Sequence, residues 1–153
     1  MTEILFYHLE RARLETVLPE LLEKTLANGW KAIVRASTRD RVEALDEYLW
    51  SYRDDSFLPH GGADVDDPTT VRQPVWITDG EATPIDADVL FLVDGAVQAV
   101  EGLSAFSRCV TIFDGGDEEA VADARRFWKT AKEAGCSVAY WKQSSEGRWE
   151  KQA

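Results

Sequence analysis

The alternation of hydrophobic patterns in the first fifty residues is the feature that most restricts the fold of this chain. A strand-like run, Ile4–Leu9, is followed by apolar residues at helical spacing that stop at Asn28-Gly29, a pair typical of a helix C-cap. A short apolar run, Trp30–Ala36, then precedes a second helical pattern that ends near Trp50. This strand–helix–strand–helix order predicts βαβ units and therefore a parallel sheet.

The alternation of strand and helix patterns resumes after a long irregular segment. Residues 51–73 show no period and are long for a loop in a compact domain, which is typical of a functional loop. Beyond them, the best-defined helix runs from Asp117 to Ala134, because Asp117 can cap it, glutamates fill its first turn and Gly135 follows its end. The remaining patterns predict strands at Pro74–Thr78, Val89–Val93, Arg108–Phe113, Cys136–Trp141 and Arg148–Lys151, and a short helix at Ala96–Ser107.

Length and charge limit the class of protein. The 153 residues suit a single domain spanning 1–153, and the formal net charge is −11. Such an acidic surface repels phosphate backbones and anionic lipids, which argues against direct binding of nucleic acid or a membrane. The charge is uneven: residues 1–53 carry −1, residues 54–119 carry −13 and residues 120–153 carry +3. The only basic region is therefore the C-terminal one.

Cysteine usage and the N-terminal sequence predict the compartment. Cys109 and Cys136 both lie in apolar runs without a CxxC motif, so we expect two buried, reduced thiols and no zinc site. The N-terminus has no basic region followed by an apolar stretch, and no run approaches eighteen apolar residues. These features predict a cytoplasmic protein.

Motifs for nucleotide chemistry and catalysis are missing from the sequence. Neither GxGxxG nor GxxxxGK[ST] occurs, and neither histidine has a nucleophile at motif spacing. The loop Phe113–Asp117 could offer N–H groups to an anion, yet four carboxylates surround it, so helix capping is the favoured interpretation. The aspartates of residues 54–67 do not follow the EF-hand register. We therefore expect no cofactor, no metal and no catalytic residue, and keep a small nucleotide- or metal-dependent enzyme as the alternative.

One face of the late helix combines basic and aromatic side chains. Arg125, Trp128, Lys129 and Lys132 recur at i, i+3, i+4 and i+7. They lie beside an apolar stripe that we expect to face the sheet, formed by Ala120, Ala124, Phe127, Ala131 and Ala134. The pattern suits an acidic peptide that ends in an aromatic residue and a free carboxylate. It equally suits a tryptophan at the edge of the core with ordinary helix charges, and the spacing leaves both interpretations open.

A second aromatic cluster lies at the start of the irregular segment. It includes Trp50, Phe57, Pro59 and His60. Such rings either cover one end of the sheet or form a docking surface for another protein.

Together these residues resemble a known family. The motifs LDEYLWSYRDDSFLPHG, QPVWIT and ARRFWKTAKEAG, with FYHL at the start, are similar to the chi subunit of bacterial DNA polymerase III, an accessory clamp-loader component, over nearly the whole chain. The resemblance implies a three-layer, Rossmann-like α/β fold with a mostly parallel sheet and helices on both faces. It also implies a non-catalytic replisome adaptor that links the clamp loader, through the psi subunit or an equivalent component, to single-stranded-DNA-binding protein.

The resemblance also implies roles for particular residues. The family's site for the acidic, Phe-terminated tail of single-stranded-DNA-binding protein corresponds to Arg125, Trp128 and Lys129, with Lys132 one turn later. The surface for psi or a helicase corresponds to Trp50, Phe57, Pro59 and His60. The chain departs from the family pattern at Val121, where a cation is expected, and at Asp114–Asp117, where a more apolar stretch is expected. The acidic insert 63–67 and the C-terminal extension 142–153 have no clear counterpart in the family.

Overall fold

The computed structural model describes residues 3–10, 14–51, 75–78, 87–93, 95–96, 106–143 and 149–152, except for the side chains of 15, 16, 46 and 48–51. Three helices are described: α1 (Leu14–Ala27), α2 (Arg39–Ser51) and α3 (Glu118–Glu133). The seven strands are β1 (Glu3–Leu9), β2 (Ala32–Arg35), β3 (Val75–Thr78), β4 (Val89–Leu92), β5 (Arg108–Asp114), β6 (Ser137–Gln143) and β7 (Trp149–Lys151).

The seven strands form one sheet in the order β3-β2-β4-β5-β1-β6-β7. All neighbours pair in parallel except β6 and β7, which form an antiparallel pair at one edge. The first strand of the chain therefore lies inside the sheet, between β5 and β6. The predicted α/β class and mostly parallel sheet are confirmed.

The core has two layers because alternate residues of each strand point to opposite faces of the sheet. In β4 and just beyond it, Val89, Phe91 and Val93 pack in one hydrophobic cluster with residues of α1 and α2. The side chains of Leu90 and Leu92 pack in the other cluster, with residues of α3. Helices therefore cover both faces of a single-domain sheet, as predicted.

The helix and strand boundaries depart from the sequence predictions at a few points. Strand β2 is shorter than the predicted Trp30–Ala36, since Trp30 is only partly buried and lies before the strand. The predicted helix Ala96–Ser107 falls mostly on residues 97–105, outside the described residues, and Ser107 at its end is not helical. Helix α1 ends as expected, with Gly29 at a positive φ of 78°.

The C-terminal extension completes the sheet. Strand β6 continues past the predicted end at Trp141 to Gln143, and β7 returns antiparallel to it, as the Arg148–Lys151 pattern predicted. The indole of Trp149 packs edge-on against Tyr7 of β1, with ring centroids 5.0 Å apart and planes at 89°. This contact anchors the extension to the face of the sheet that α1 and α2 cover.

Candidate peptide-binding surface on helix α3

Helix α3 is fixed at both ends by its own sequence. The Asp117 side chain accepts hydrogen bonds from the N–H groups of Glu119 and Ala120, at 3.0 and 3.3 Å. At the other end, the N–H of Ala134 donates to the carbonyl of Thr130 and the N–H of Gly135 donates to that of Lys132, each at 3.0 Å, and Gly135 has φ 83°. These caps confirm the predicted helix and hold its basic face in a defined orientation.

The loop before α3 does not present free amides to an anion. The N–H of Gly115 donates to the carbonyl of Leu9 at 2.8 Å, and the N–H of Gly116 donates to Asp114 Oδ1 at 2.9 Å. The N–H of Asp117 donates to the Asp114 carbonyl at 3.1 Å. These three N–H groups are already bonded within the protein, which supports the capping interpretation of this loop.

Small residues bring α3 close to the sheet. The side chains of Ala124 and Ala131 are buried, while Ala120 and Phe127 pack partly buried against the same cluster. The prediction that Ala134 faces the sheet is wrong, because the helix ends at Glu133 and Ala134 is an exposed C-cap.

The indole of Trp128 lies at the boundary between core and solvent. Its ring meets the fully buried ring of Phe6 edge-on, with centroids 5.2 Å apart, and it also contacts Tyr140 at 6.0 Å. The side chain is nevertheless only partly buried. The apolar stripe thus includes Trp128, which lies at the edge of the core, one of the two positions that the spacing had left open. The indole therefore packs against the core and is also partly accessible at the surface.

Three exposed cations lie on the same helix within four residues of this tryptophan. The side chains of Arg125, Lys129 and Lys132 are all exposed, and Lys132 Nζ lies 5.2 Å from the centroid of the Trp128 ring. None of the three has a carboxylate partner among the residues that the structure describes. The neighbouring Arg126, in contrast, is paired with Asp123. The surface formed by Arg125, Trp128, Lys129 and Lys132 is called the α3 surface below.

Sequence reasoning missed Tyr140, which β6 contributes to the same surface. Phe6 and Tyr140 are opposite each other in the parallel β1–β6 register, so both rings project from one face of the sheet. The two rings are nearly parallel, at 6.3 Å and 14°. Burial raises the pKa of Tyr140, and the positive charge of Arg125 opposes this rise. The sequence does indicate one feature of Tyr140: it follows Val138 by two residues in β6, so both side chains point to the same face of the sheet. The pairing of β6 with β1, however, cannot be derived from residue spacing alone.

The hydroxyl of Tyr140 belongs to a polar cluster at the C-terminal end of β1. His8 Nδ1 lies 2.6 Å from the Tyr140 hydroxyl, and His8 Nε2 lies 3.2 Å from Glu10 Oε1. The same oxygen of Glu10 is 3.2 Å from Lys142 Nζ. Burial lowers the pKa of His8, whose side chain is only 12% exposed. The imidazole is therefore held neutral near pH 7.

The second predicted surface is only partly within the described residues. Trp50 lies in the last turn of α2, and its side chain is not described. The other three members, Phe57, Pro59 and His60, lie outside the described residues, as does the insert 63–67. The proposed surface for psi or a helicase stays a prediction.

The described parts of the chain contain neither a candidate metal site nor a helix that could span a membrane. No group of three or more histidine, cysteine or acidic side chains among them could hold a metal ion. Of the helices that the structure describes, none has the length and apolar composition to cross a bilayer.

At Val121 the chain departs from the family pattern, which has a cation there. In the structure this side chain packs partly buried against the core beneath α3.

The fold and the α3 surface define an α/β domain that presents one basic, aromatic helix face beside a mostly parallel sheet. The family model for the DNA polymerase III chi subunit, HolC, matches residues 1–139. A curated relative from Rickettsia prowazekii (strain Madrid E), "Probable DNA polymerase III subunit chi", is 28% identical over 119 residues, which cover 74% of this chain and 71% of the relative. The chain belongs to the chi subunit family of DNA polymerase III, a family of accessory subunits. The match ends within β6, so β7 lies beyond it.

Proposed function

We propose that this chain is a non-catalytic adaptor of the replisome that binds the acidic C-terminal tail of single-stranded-DNA-binding protein at the α3 surface. The observation that carries the proposal is the set of three exposed cations without carboxylate partners in the described residues, on the helix that carries the partly buried Trp128, with Lys132 in contact with its ring. Unpaired cations beside an aromatic ring supply the two interactions that an acidic, Phe-terminated peptide needs.

The charge distribution supports the same assignment. The whole chain carries −11, whereas residues 120–153 carry +3. A general acidic surface disfavours direct contact with DNA, while a local basic surface favours a small acidic ligand. The adaptor thus contacts DNA indirectly, through an acidic protein segment that is itself tethered to single-stranded DNA.

Peptide titration calorimetry tests the tail site. An acidic peptide ending in Phe should bind with a Kd on the order of micromolar, and affinity should fall as salt is raised. Arg125→Ala should weaken binding roughly 10- to 150-fold, the range for loss of a hydrogen bond to a charged group. Arg126→Ala is the matched control, since Arg126 is also exposed but is already paired with Asp123. Equal affinities for both variants and the wild type would refute the site.

We propose that a second surface, with Trp50, Phe57, Pro59 and His60, binds psi or an equivalent clamp-loader component. Its support is the family membership of the chain and the sequence motif that ends α2. A pull-down from a lysate of the source, with wild type, Arg125→Ala and Phe57→Ala, tests the proposal. Separate docking surfaces require that Arg125→Ala loses single-stranded-DNA-binding protein and Phe57→Ala loses the clamp-loader component. Loss of the same partner in both variants would contradict it.

A further inference from the structure

The hydrogen bonds of His8 determine where the proton of the Tyr140 hydroxyl lies. A carboxylate can only accept a hydrogen bond, so Nε2 of the neutral ring, 3.2 Å from Glu10, carries the imidazole proton. Nδ1 then has a free lone pair and accepts from the Tyr140 hydroxyl at 2.6 Å. In this state the hydroxyl proton is directed towards His8, and the tyrosine offers only an acceptor to any ligand.

Charged groups from three strands act on His8. Glu10 after β1 and Asp114 at the end of β5 favour the protonated ring, whereas Lys142 of β6 and burial oppose it, and burial is the largest effect. The pKa of His8 therefore lies below its usual value of 6.5. The ring is also enclosed sterically: a Cβ at Gly115 would lie 1.9 Å from Nε2. Protonation changes the hydrogen bonds of a ring that has little room to move.

The tyrosine connects this cluster to the α3 surface. Its ring contacts the Trp128 indole at 6.0 Å, and the charge of Arg125 acts on its hydroxyl. Protonated His8 carries hydrogens on both nitrogens, so Nδ1 becomes a donor to the Tyr140 oxygen. The hydroxyl proton must then turn away from His8.

We propose that His8 is a positioning residue that controls peptide affinity by determining whether the Tyr140 hydroxyl donates its hydrogen bond to His8 or to the bound peptide. With His8 neutral, the Tyr140 hydroxyl donates to Nδ1; with His8 protonated, the hydroxyl is free to donate to a carboxylate of the acidic peptide. Acidification thus adds one donor to the α3 surface. This inference rests on the proposed function of that surface.

The experiment compares peptide affinity at pH 7.5 and at a lower pH at which nuclear magnetic resonance shows the His8 ring to be protonated, at one ionic strength, for the wild type, Tyr140→Phe and His8→Gln. The probe is a synthetic acidic peptide ending in Phe, whose aspartates, with a pKa of about 3.9, remain ionised throughout. Wild-type affinity should rise roughly 10- to 150-fold at the lower pH, the range for one added hydrogen bond to a charged group. The rise should be absent in both variants.

Four other outcomes would overturn the inference. A rise that persists in Tyr140→Phe would show that the imidazolium charge acts directly, without the hydroxyl. A rise that persists in His8→Gln would assign the response to another titrating group. Binding that does not change with pH in the wild type would show that Tyr140 gains no donor role. Absence of wild-type binding at both pH values refutes the proposed function itself, and the inference with it.

Nuclear magnetic resonance supplies a readout that does not depend on peptide binding. The chain has two histidines, so the His8 ring can be assigned by comparison with His8→Gln. At pH 7.5 the ring should be in the Nε2–H form, and Tyr140→Phe should change its titration because the partner of Nδ1 is removed. An Nδ1–H ring at pH 7.5 would contradict the inference.

Discussion

The indole of Trp128 lies edge-on against the ring of Phe6, with centroids 5.2 Å apart and planes inclined at 64°. Phe6 is fully buried in β1, whereas Trp128 is partly exposed on α3. The residue proposed to bind the aromatic end of a peptide therefore also packs against the core. Its orientation is fixed by the sheet rather than by the helix alone.

Replacement of Trp128 by Ala should reduce stability as well as peptide binding. The free energy of unfolding should fall by about 1–3 kcal/mol, less than for a fully buried tryptophan because part of the ring is exposed. Arg125→Ala should change stability by less than about 0.5 kcal/mol, since that side chain is exposed. Urea denaturation of both variants measures the difference. Equal stabilities would mean that the Phe6–Trp128 contact contributes little to folding.

Two adjacent glycines should respond differently to Ala substitution. A Cβ at Gly115 would lie 1.9 Å from His8 Nε2 and 2.7 Å from the Leu9 carbonyl oxygen, and a backbone oxygen cannot easily move away. Gly115→Ala should therefore destabilise the protein by about 1–3 kcal/mol. At Gly116 the nearest atom is Asp114 Oδ1 at 3.3 Å, and Gly116→Ala should be nearly neutral. Denaturation midpoints that shift equally would contradict the close packing of His8.

The stability of the protein should fall with acidification because of His8. Its pKa in the folded protein is lowered by burial, so the unfolded chain binds a proton first as the pH falls below about 6.5. The contribution of His8 to stability is complete above that pH and is lost as the pH falls through the folded pKa. Wild type should therefore lose more stability than His8→Gln between pH 7.5 and pH 5. Parallel stability curves for the two proteins would refute this account.

The two cysteines should differ in reactivity. Burial raises the pKa of the Cys109 thiol to about 12, so almost no thiolate is present at pH 8. Cys136 is only partly buried, which corrects the expectation that both cysteines lie in the core. Iodoacetamide should therefore modify Cys136 at least about 100-fold faster than Cys109, whose reaction requires opening of the sheet. Mass spectrometry of the native protein and of Cys136→Ser measures both rates, and rapid labelling of Cys136→Ser would refute the burial of Cys109.

Local sequence was sufficient to predict most of the helices and strands. The Asn28-Gly29 pair ended α1, Asp117 and Gly135 marked the ends of α3, and the Arg148–Lys151 pattern predicted β7. Capping side chains and positive-φ glycines act over a few residues, so their effects can be read directly from neighbouring positions. The basic face of α3 could also be predicted from neighbouring positions, because residues at i, i+4 and i+7 share a helix face.

The tertiary structure decided how those elements meet. Residue spacing could not show that β1 lies between β5 and β6. It therefore could not place Tyr140 beside Phe6 and Trp128. Nor could it place the Tyr140 hydroxyl 2.6 Å from His8, which is 132 positions earlier in the chain. Strand order is selected by the total burial that a whole sheet achieves, which no single segment encodes. The sequence by itself determined the helices, the strands and the location of the basic residues. Only the folded sheet decided that Trp128 is both a core and a surface residue, since that depends on which strand lies beneath it.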